Sequence, residues 1–303
     1  MTKKDATVLI PEAQLIDELA PHWKKRFVKA TQIMQDRFSE NLNWNDIADE
    51  CAISPSHFHY MFKLVFGESP VHYLRRMRLK QAVYSLSLEK KAVTDIALET
   101  GFSSSQALAK ALKRELGMSA SQIRRSNRLE DADLWDQIML KLGQPTESET
   151  SLEKALCKNL KFELVHFPER YFFTSKQQGH NLENIFNVWF QITPKDIANG
   201  ISIYHWSAAV SPASQPFFVG YECAAHQSNK TLPASHYLST TVILDSGTAY
   251  SAAWDALYSH LLERNLEPDY DAEVFEQMSN LRDYNAREME VSLFLPVKIK
   301  DQT

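Results

Sequence analysis

Residues 93–125, VTDIALETGFSSSQALAKALKRELGMSASQIRR, decide the fold of the first half of this 303-residue chain. Apolar residues recur at helical spacing before and after Gly101, and a glycine is the residue that most easily adopts a positive φ in a tight turn. The pattern therefore predicts two short helices joined by a turn, which is a helix-turn-helix unit.

A second copy of this unit lies upstream in residues 44–70, WNDIADECAISPSHFHYMFKLVFGESP. Ala52 takes the place of Gly101, Ser54 is the expected N-cap of the second helix, and Pro55 follows at its first position. The two copies are about 49 residues apart. Such an internal duplication is a more specific signal of this fold than either copy alone. They align at DIA with DIA, Ser54 with Ser103, Phe62 with Leu112, and Phe66-Gly67 with Leu116-Gly117. Residues 71–88 between them predict a connecting helix of roughly 27 Å.

The second helix of each unit has the polar outward face that a recognition helix presents to the major groove. Gln can pair with adenine, Lys can donate to guanine, and Ala can contact a thymine methyl group. Basic residues nearby are expected to contact phosphates. Ordinary solvent exposure is the alternative explanation for each residue alone. The predicted base-contacting residues are Ser56, His57, His59, Tyr60, Ser105, Gln106, Ala107 and Lys110, and the predicted phosphate contacts are Lys63, Arg75, Arg76, Lys113 and Arg114.

Charge divides the chain into a basic and an acidic part. Residues 22–128 contain 18 Lys and Arg against 10 Asp and Glu, whereas the rest contains 15 against 28, so that the net charge of −5 combines +8 with −13. A basic domain gains affinity for DNA by releasing counterions from the phosphates, and an acidic domain is repelled by them. Solvated surfaces of either sign are the alternative explanation.

With these motifs, residues 22–128 resemble the DNA-binding domain of AraC/XylS-type regulators. The resemblance implies seven helices, with two recognition helices in successive major-groove segments about one DNA turn apart and the connecting helix fixing that spacing. The family often has an aromatic and a basic residue in the second recognition helix, where this chain has Leu108 and Lys110 among small residues. The first recognition helix or DNA shape is therefore expected to carry more of the specificity.

The chain changes character after residue 128. Residues 129–159 are acidic and polar without a packing pattern, and they predict an interdomain linker. Residues 160–300 alternate between strand and helix patterns in the order strand, helix, strand, strand, which then approximately repeats. This order predicts an α+β domain whose duplicated halves enclose a central cleft.

Residues 160–300 resemble the GyrI-like effector-binding domain. The resemblance rests on that order, on Gly179 and Trp189, and on residues 245–258 and 274–298, although PASHYLS at 233–239 replaces a common glycine turn. It implies an aromatic-lined cleft with an acidic residue, suited to apolar cations or other amphipathic small molecules. Core packing of the aromatic residues and an outward position for Glu222 are the alternatives. The candidate ligand-binding residues are Trp189, Trp206, Tyr221, Tyr250 and Trp254, with Glu222 or Glu276 as counter-charge.

Other classes of function lack a motif in this sequence. A nucleophile elbow, a phosphate-binding glycine loop and HExxH are all absent, so we expect no catalysis and no cofactor. Cys51, Cys157 and Cys223 are too far apart for a metal clip and odd in number, so we expect reduced thiols. The sequence has neither a 20-residue apolar run nor a signal peptide, and a cytoplasmic location without a membrane partner is expected.

Together these features predict a sequence-specific transcription regulator. Its expected partners are a double-stranded DNA operator and a small-molecule effector that is amphipathic or cationic, with RNA polymerase as a further candidate. Two alternatives remain open: a small-molecule sequestering protein with an ancillary DNA-binding domain, and a hydrolase fused to a DNA-binding module. Loss of turnover in Glu222→Gln would distinguish the hydrolase.

Overall fold

The computed structural model describes residues 6–40, 42–88, 91–125, 132–147, 150–178, 182–205, 216–279 and 288–299. The chain divides into two compact units. The first, the helical unit, comprises residues 10–155, and the second, the sheet unit, comprises residues 1–9 and 156–303.

The helical unit contains the double helix-turn-helix arrangement. Its helices are α1 (Pro11–Asp17), α2 (Pro21–Asp36), α3 (Trp44–Glu50), α4 (Pro55–Phe66), α5 (Pro70–Leu88), α6 (Val93–Glu99), α7 (Ser105–Leu116), α8 (Ala120–Arg125), α9 (Ala132–Leu142) and α10 (Leu152–Leu156). The seven helices from α2 to α8 occupy the segment for which the resemblance implies seven. Helix α4 is the second helix of the first helix-turn-helix unit, and α7 is the second helix of the second one. These two are therefore the candidate recognition helices.

Two hydrophobic cores support the two helix-turn-helix units, and α5 contributes to both. The first core is largely aromatic, while the second is aliphatic. Tyr73 of α5 is buried in the first core and Leu79 in the second. Because each large apolar side chain contributes about 1.5–3 kcal/mol when fully buried, α5 is fixed to both units. The first core includes Phe27, Phe58, Phe62 and Phe66, and the second includes Ile96, Leu108, Leu112 and Leu116.

The second turn is one residue longer than the first. α6 begins 49 residues after α3, but α7 begins 50 residues after α4. Ala52 and Gly101 both have positive φ, at 55° and 79°, as the sequence indicated. The extra residue is Ser103, so the predicted alignment of Ser54 with Ser103 is wrong and Ser104 is the true counterpart. Ser104 caps α7 by accepting a hydrogen bond from Ala107 N at 3.1 Å, whereas Ser54 holds the N-cap position without a side-chain bond.

The predicted linker contains packed structure. α9 lies within residues 129–159, and its Ile138, Met139 and Leu142 are buried in the second core. The prediction of a linker without packing is therefore wrong for this helix, because an acidic, polar composition concealed an amphipathic spacing. After α9, Gly143 lies so close to Ser151 that an added Cβ would be 2.4 Å from the serine Cβ.

A buried polar network surrounds Arg76 of α5. Its guanidinium donates to Glu68 at 2.6 and 2.9 Å, to Gln144 Oε1 at 2.6 Å and to Leu142 O at 3.1 Å. Burial opposes the charged form, but Glu68 outweighs it and the pKa of Arg76 is raised. Glu153 accepts from Gln144 N at 2.9 Å and pairs with Lys80 at 3.4 Å. Burial opposes its ionisation too, yet Lys80 and the hydrogen bonds lower the pKa of Glu153.

The sheet unit is built on one mixed sheet. Its strands are β1 (Thr7–Val8), β2 (Glu163–Phe167), β3 (Arg170–Gln178), β4 (Gly200–His205), β5 (Pro216–Glu222), β6 (Lys230–Leu232), β7 (Ser235–Leu244), β8 (Glu267–Pro268), β9 (Glu273–Met278) and β10 (Met289–Lys298). Its longer helices are α11 (Leu182–Ile192) and α12 (Gly247–Glu263). Strand β1 comes from the start of the chain and pairs in parallel with β7, which the sequence did not predict.

Two groups of elements within the sheet unit have the same order. One is β3, α11, β4 and β5, and the other is β7, α12, β9 and β10. The strands pair as β4-β5-β3 in the first group and as β9-β10-β7 in the second, and β4 joins β9 at the centre. The order of strand, helix, strand, strand thus recurs among the described elements when the two-residue strand β8, which lies between α12 and β9, is left aside.

Relief of the strained turn in the first helix-turn-helix unit is expected to stabilise the helical unit. An alanine with left-handed φ costs about 1–2 kcal/mol, and the greater unfolded-chain entropy of glycine offsets about 0.4–1 kcal/mol of that cost. Ala52→Gly should therefore raise the free energy of unfolding by several tenths of a kcal/mol to ~1 kcal/mol, measured by urea denaturation. The control Ala109→Gly, on the exposed side of α7, should lower it by about 0.5–1 kcal/mol. A loss of stability in both variants would contradict the assigned turn.

Acid is expected to weaken the network around Glu153. Because the folded-state pKa of Glu153 lies below its ordinary value of 4.5, its contribution is present above 4.5 and is lost as the pH falls through the lower folded value. Urea denaturation at pH 6 and pH 3.5, followed by circular dichroism, should show a smaller acid loss in Glu153→Gln than in wild type. Equal acid losses would show that Glu153 is not stabilised by these contacts.

Candidate DNA-binding surface and candidate ligand site

Helix α4 presents a polar surface to solvent over its core-facing phenylalanines. Ser56 and His57 are exposed, and Tyr60 is 66% exposed. His57 makes an edge contact with Trp23 at a ring-centroid distance of 5.1 Å, and His59 contacts Trp44 at 5.4 Å. The two histidines are thus oriented by tryptophans of α2 and α3, which favours a defined geometry for the polar edges that remain accessible.

Helix α7 presents the matching surface in the second unit. Because α7 begins 50 residues after α4, Gln106 takes the position equivalent to Ser56, and Lys110 that equivalent to Tyr60. Gln106 and Lys110 are exposed, and Ser105 and Ala107 are half-buried near the N-terminus. Side chains at these positions are free of the hydrophobic core, as direct contact with base edges requires.

Four of the five predicted phosphate-contacting residues have solvent-accessible side chains. Lys63, Lys113 and Arg114 are exposed, while Arg75 is half-buried and lies 3.8 Å from Glu115. Arg76 is 7% exposed and bonded to Glu68, Gln144 and Leu142. Its prediction as a phosphate contact is therefore wrong, since the guanidinium is already committed within the helical unit.

A half-buried carboxylate with three aromatic partners forms the candidate ligand site of the sheet unit. Glu276 Oε1 accepts hydrogen bonds from Tyr204 Oη at 2.9 Å, from Trp254 Nε1 at 3.2 Å and from Tyr250 Oη. Tyr258 extends the aromatic cluster, with its ring centroid 5.8 Å from that of Trp254. Strand β9 supplies the carboxylate, β4 one tyrosine, and α12 the other aromatic residues.

The electrostatics of this site favour a cationic ligand. Burial raises the pKa of Glu276, although the three hydrogen bonds oppose that rise. Burial, followed by the nearby carboxylate of Glu276, raises the pKa of Tyr204 well above 10.0. A positive charge entering the cluster would stabilise the ionised carboxylate, and the tyrosine and tryptophan rings offer cation–π contacts.

The register of the sheet separates the two candidate counter-charges. Glu276 pairs with Ser202 on β4, and Glu222 pairs with Phe172 on β3. Ser202 also pairs with Val219 of β5, three residues before Glu222. Because side chains alternate along strands, Glu222 lies on the opposite face from Glu276. Glu222 is bound there by Arg170, with two bonds of 2.8 Å. The structure thus brings Glu276, and not Glu222, to the aromatic cluster.

The other predicted aromatic residues have different surroundings. Trp189 is buried against Gly200 and donates from Nε1 to Ile201 O at 3.0 Å, which matches the core-packing alternative. Tyr221 lies beside Phe173 with their ring centroids 5.6 Å apart. Trp206 lies outside the described residues. Sequence reasoning missed Tyr204, although strand alternation places residues 202 and 204 on one face.

Among the described residues, no cluster of three or more His, Cys, Asp or Glu side chains could hold a metal ion. The described helices also include none with the combined length and apolarity that crossing a membrane requires.

Sequence comparison supports the helix-turn-helix units. Residues 47–126 match the family described as "Helix-turn-helix domain". The HTH-type transcriptional activator RhaS of Escherichia coli O1:K1 is 35% identical over 91 residues, which are 30% of this chain and 33% of RhaS. The chain thus spans about a third of the length of the curated relatives it matches. The predicted helix-turn-helix domain is confirmed over residues 47–126, and this part of the chain is similar to DNA-binding transcription regulators.

Solved structures provide two further similarities. An AraC-type transcriptional regulator from Chromobacterium violaceum is 25% identical, with a TM-score of 0.32, and the match covers 33% of this chain and 90% of that one. The structure of SAV2435 bound to tetraphenylphosphonium is 10% identical, with a TM-score of 0.33, and covers 46% of this chain and 94% of that one.

Ionisation of Glu276 is expected to destabilise the sheet unit. Because the folded-state pKa is raised above 4.5, the folded unit retains a proton that the unfolded chain loses, and stability falls as the pH rises from 4.5 through the folded value. Glu276→Gln should remove this loss. Urea denaturation between pH 4.5 and 8, followed by tryptophan fluorescence, measures it. The same pH dependence in wild type and variant would show that Glu276 is not the titrating group.

Proposed function

We propose that this chain is a ligand-responsive transcription regulator of the AraC type. In this proposal the helical unit binds an operator in the cytoplasm, and the sheet unit is a GyrI-like domain that binds a small-molecule effector. The observation that carries the proposal is the pair of duplicated helix-turn-helix units, each with a polar, solvent-facing second helix over a separate hydrophobic core.

The charge distribution supports DNA as the partner of the helical unit. Lys63, Lys113 and Arg114 are exposed on α4 and α7, the two candidate recognition helices. Cations beside the base-contacting positions would bind phosphates and position each helix without specifying sequence. The remaining acidic residues of the chain would disfavour DNA contact elsewhere.

The order of elements supports a GyrI-like assignment for the sheet unit. The two groups of strand, helix, strand, strand fit the duplicated halves that the resemblance implies. The aromatic and acidic composition of the cluster around Glu276 fits an amphipathic cation as effector. A ligand at this site changes DNA occupancy only if it binds the DNA-competent and incompetent states with unequal affinity.

A sequestering protein is the second candidate function, since the Glu276 site alone would suffice for it. Ligand affinity without any effect on DNA affinity would favour that function. A hydrolase is less well supported, because Glu222 is paired with Arg170 and lies on the opposite face of the sheet from the aromatic cluster. We therefore propose no catalytic role for the sheet unit.

A binding selection tests the proposed DNA recognition. Purified protein is incubated with genomic fragments near physiological salt, and the bound fragments are sequenced. Wild type should enrich one motif that His59→Ala/Gln106→Ala loses. The matched control His72→Ala/Gln81→Ala removes the same side-chain types from exposed positions of α5 and should keep the motif. Unenriched recovery by wild type would exclude the sequence-specific regulator.

Calorimetry with tetraphenylphosphonium, an aromatic cation, tests the class of effector. Binding should strengthen as the pH rises above 4.5, because ionised Glu276 attracts the cation and its pKa lies above that value. Glu276→Gln should weaken binding by about tenfold, within the range of a desolvated cation–π and charge contact. Glu263→Gln, at an exposed position of α12, should leave the affinity unchanged. Equal, pH-independent binding by all three proteins would reject the site.

A further inference from the structure

The C-terminal ends of α4 and α7 are both bonded to the end of α9. Phe66 O, at the last residue of α4, accepts a hydrogen bond from Gln144 Nε2 at 2.7 Å. Leu116 O, at the last residue of α7, accepts one from Lys141 Nζ at 3.4 Å. The two donors are three residues apart, so one short segment contacts the carbonyl ends of both candidate recognition helices.

Gln144 is rigidly held at this junction. It is fully buried, its amide oxygen accepts from Arg76 Nη2 at 2.6 Å, and its backbone N–H donates to Glu153 at 2.9 Å. Since a buried amide that loses its partners is costly, the Gln144 side chain is confined to one orientation. Arg76 also binds Glu68, two residues beyond the end of α4.

This junction adds a connection that the helix-turn-helix units do not provide themselves. α9 lies beyond residues 47–126, which match the family, and its Ile138 and Leu142 are buried in the second core. The helix is thus anchored in the half of the unit that contains α7, and Gln144 reaches from it to the end of α4.

We propose that Arg76, Lys141, Gln144 and Glu153, which we call the interhelix clamp, are positioning residues that set the distance between the two recognition helices. This role rests on the proposed function only for its effect on DNA. Each base-pair step advances the groove by about 3.4 Å along the axis, and two helices separated by the wrong distance cannot contact both segments together. The clamp therefore selects operators with one spacing.

Spin labels measure the proposed positioning without DNA. The full chain with Cys223→Ser would carry labels at Leu64→Cys on α4 and Ala109→Cys on α7, both exposed positions. Electron–electron resonance should give one narrow distance distribution. Gln144→Leu should shift or broaden it by at least about 3 Å, one base-pair step. The control Thr31→Ala, which removes a buried hydrogen bond to Phe27 O outside the clamp, should leave it unchanged.

An unchanged distribution in folded Gln144→Leu would overturn the clamp. If circular dichroism shows that this variant does not fold, Lys141→Met tests the other end of the clamp, because Lys141 is exposed and its loss leaves the Arg76 network intact. Lys141→Met should shift or broaden the distribution of label distances, as expected for Gln144→Leu. An unchanged distribution would equally overturn the proposal.

Operator spacing then tests the consequence for DNA. One base pair is inserted between the two contacted segments of the selected operator, and affinity is measured for both DNAs. Wild type and Thr31→Ala should lose about tenfold or more, comparable to one mismatched base pair, and Gln144→Leu should lose less than about threefold. A variant that merely unfolds binds both DNAs less well without changing this ratio. An unchanged ratio in folded Gln144→Leu would overturn the positioning role. Failure to select any operator would reject DNA recognition and leave the label distances to decide on the clamp.

Discussion

The ion pair between Arg76 and Glu68 is the interaction on which the helical unit depends. A charged guanidinium is stable in the protein interior only when its donors are satisfied. Arg76 donates to Glu68 before α5, to the carbonyl of Leu142 at the end of α9, and to Gln144 after it. Two further carboxylates converge on α5: Glu12 accepts from Tyr73 Oη at 2.8 Å, and Glu153 pairs with Lys80. The helical unit begins at residue 10 and ends at residue 155. Glu12 and Glu153 therefore bond both ends of this unit to α5.

This arrangement explains how basic residues of one sequence segment have different roles. Arg75 and Arg76 are neighbours on α5, yet Arg75 remains half-buried near the surface while Arg76 is enclosed. Lys63 and Lys110 face solvent, and so do Lys113 and Arg114, whose bonds to Gly117 O and Glu115 lie at the surface. Arg76 and Arg78 instead bind carboxylate or carbonyl groups at more buried positions. The positive charge of residues 22–128 therefore serves both the internal geometry of the helical unit and the proposed DNA contact.

Local patterns predicted the helix-turn-helix units well, because the helical period, Pro55, and the positive-φ positions Ala52 and Gly101 depend on nearby residues. Features determined by distant contacts were missed. The additional residue Ser103 can be identified only once the N-caps of α4 and α7 are known. The polar composition around α9 gave no indication of its three core residues. Burial of Arg76 depends on Gln144, 68 residues away. In the sheet unit, the choice between Glu222 and Glu276 required the strand register, which the sequence alone did not provide.

Hydroxyl-radical footprinting of the full chain on its selected operator tests the central claim most directly. Two recognition helices held in one rigid unit should protect two backbone segments on one face of the DNA, separated by about 10 base pairs, one helical turn. Protection should not extend continuously between them. A single protected segment, or two segments whose separation varies from one bound operator to another, would contradict an account in which both helices bind together at a fixed distance.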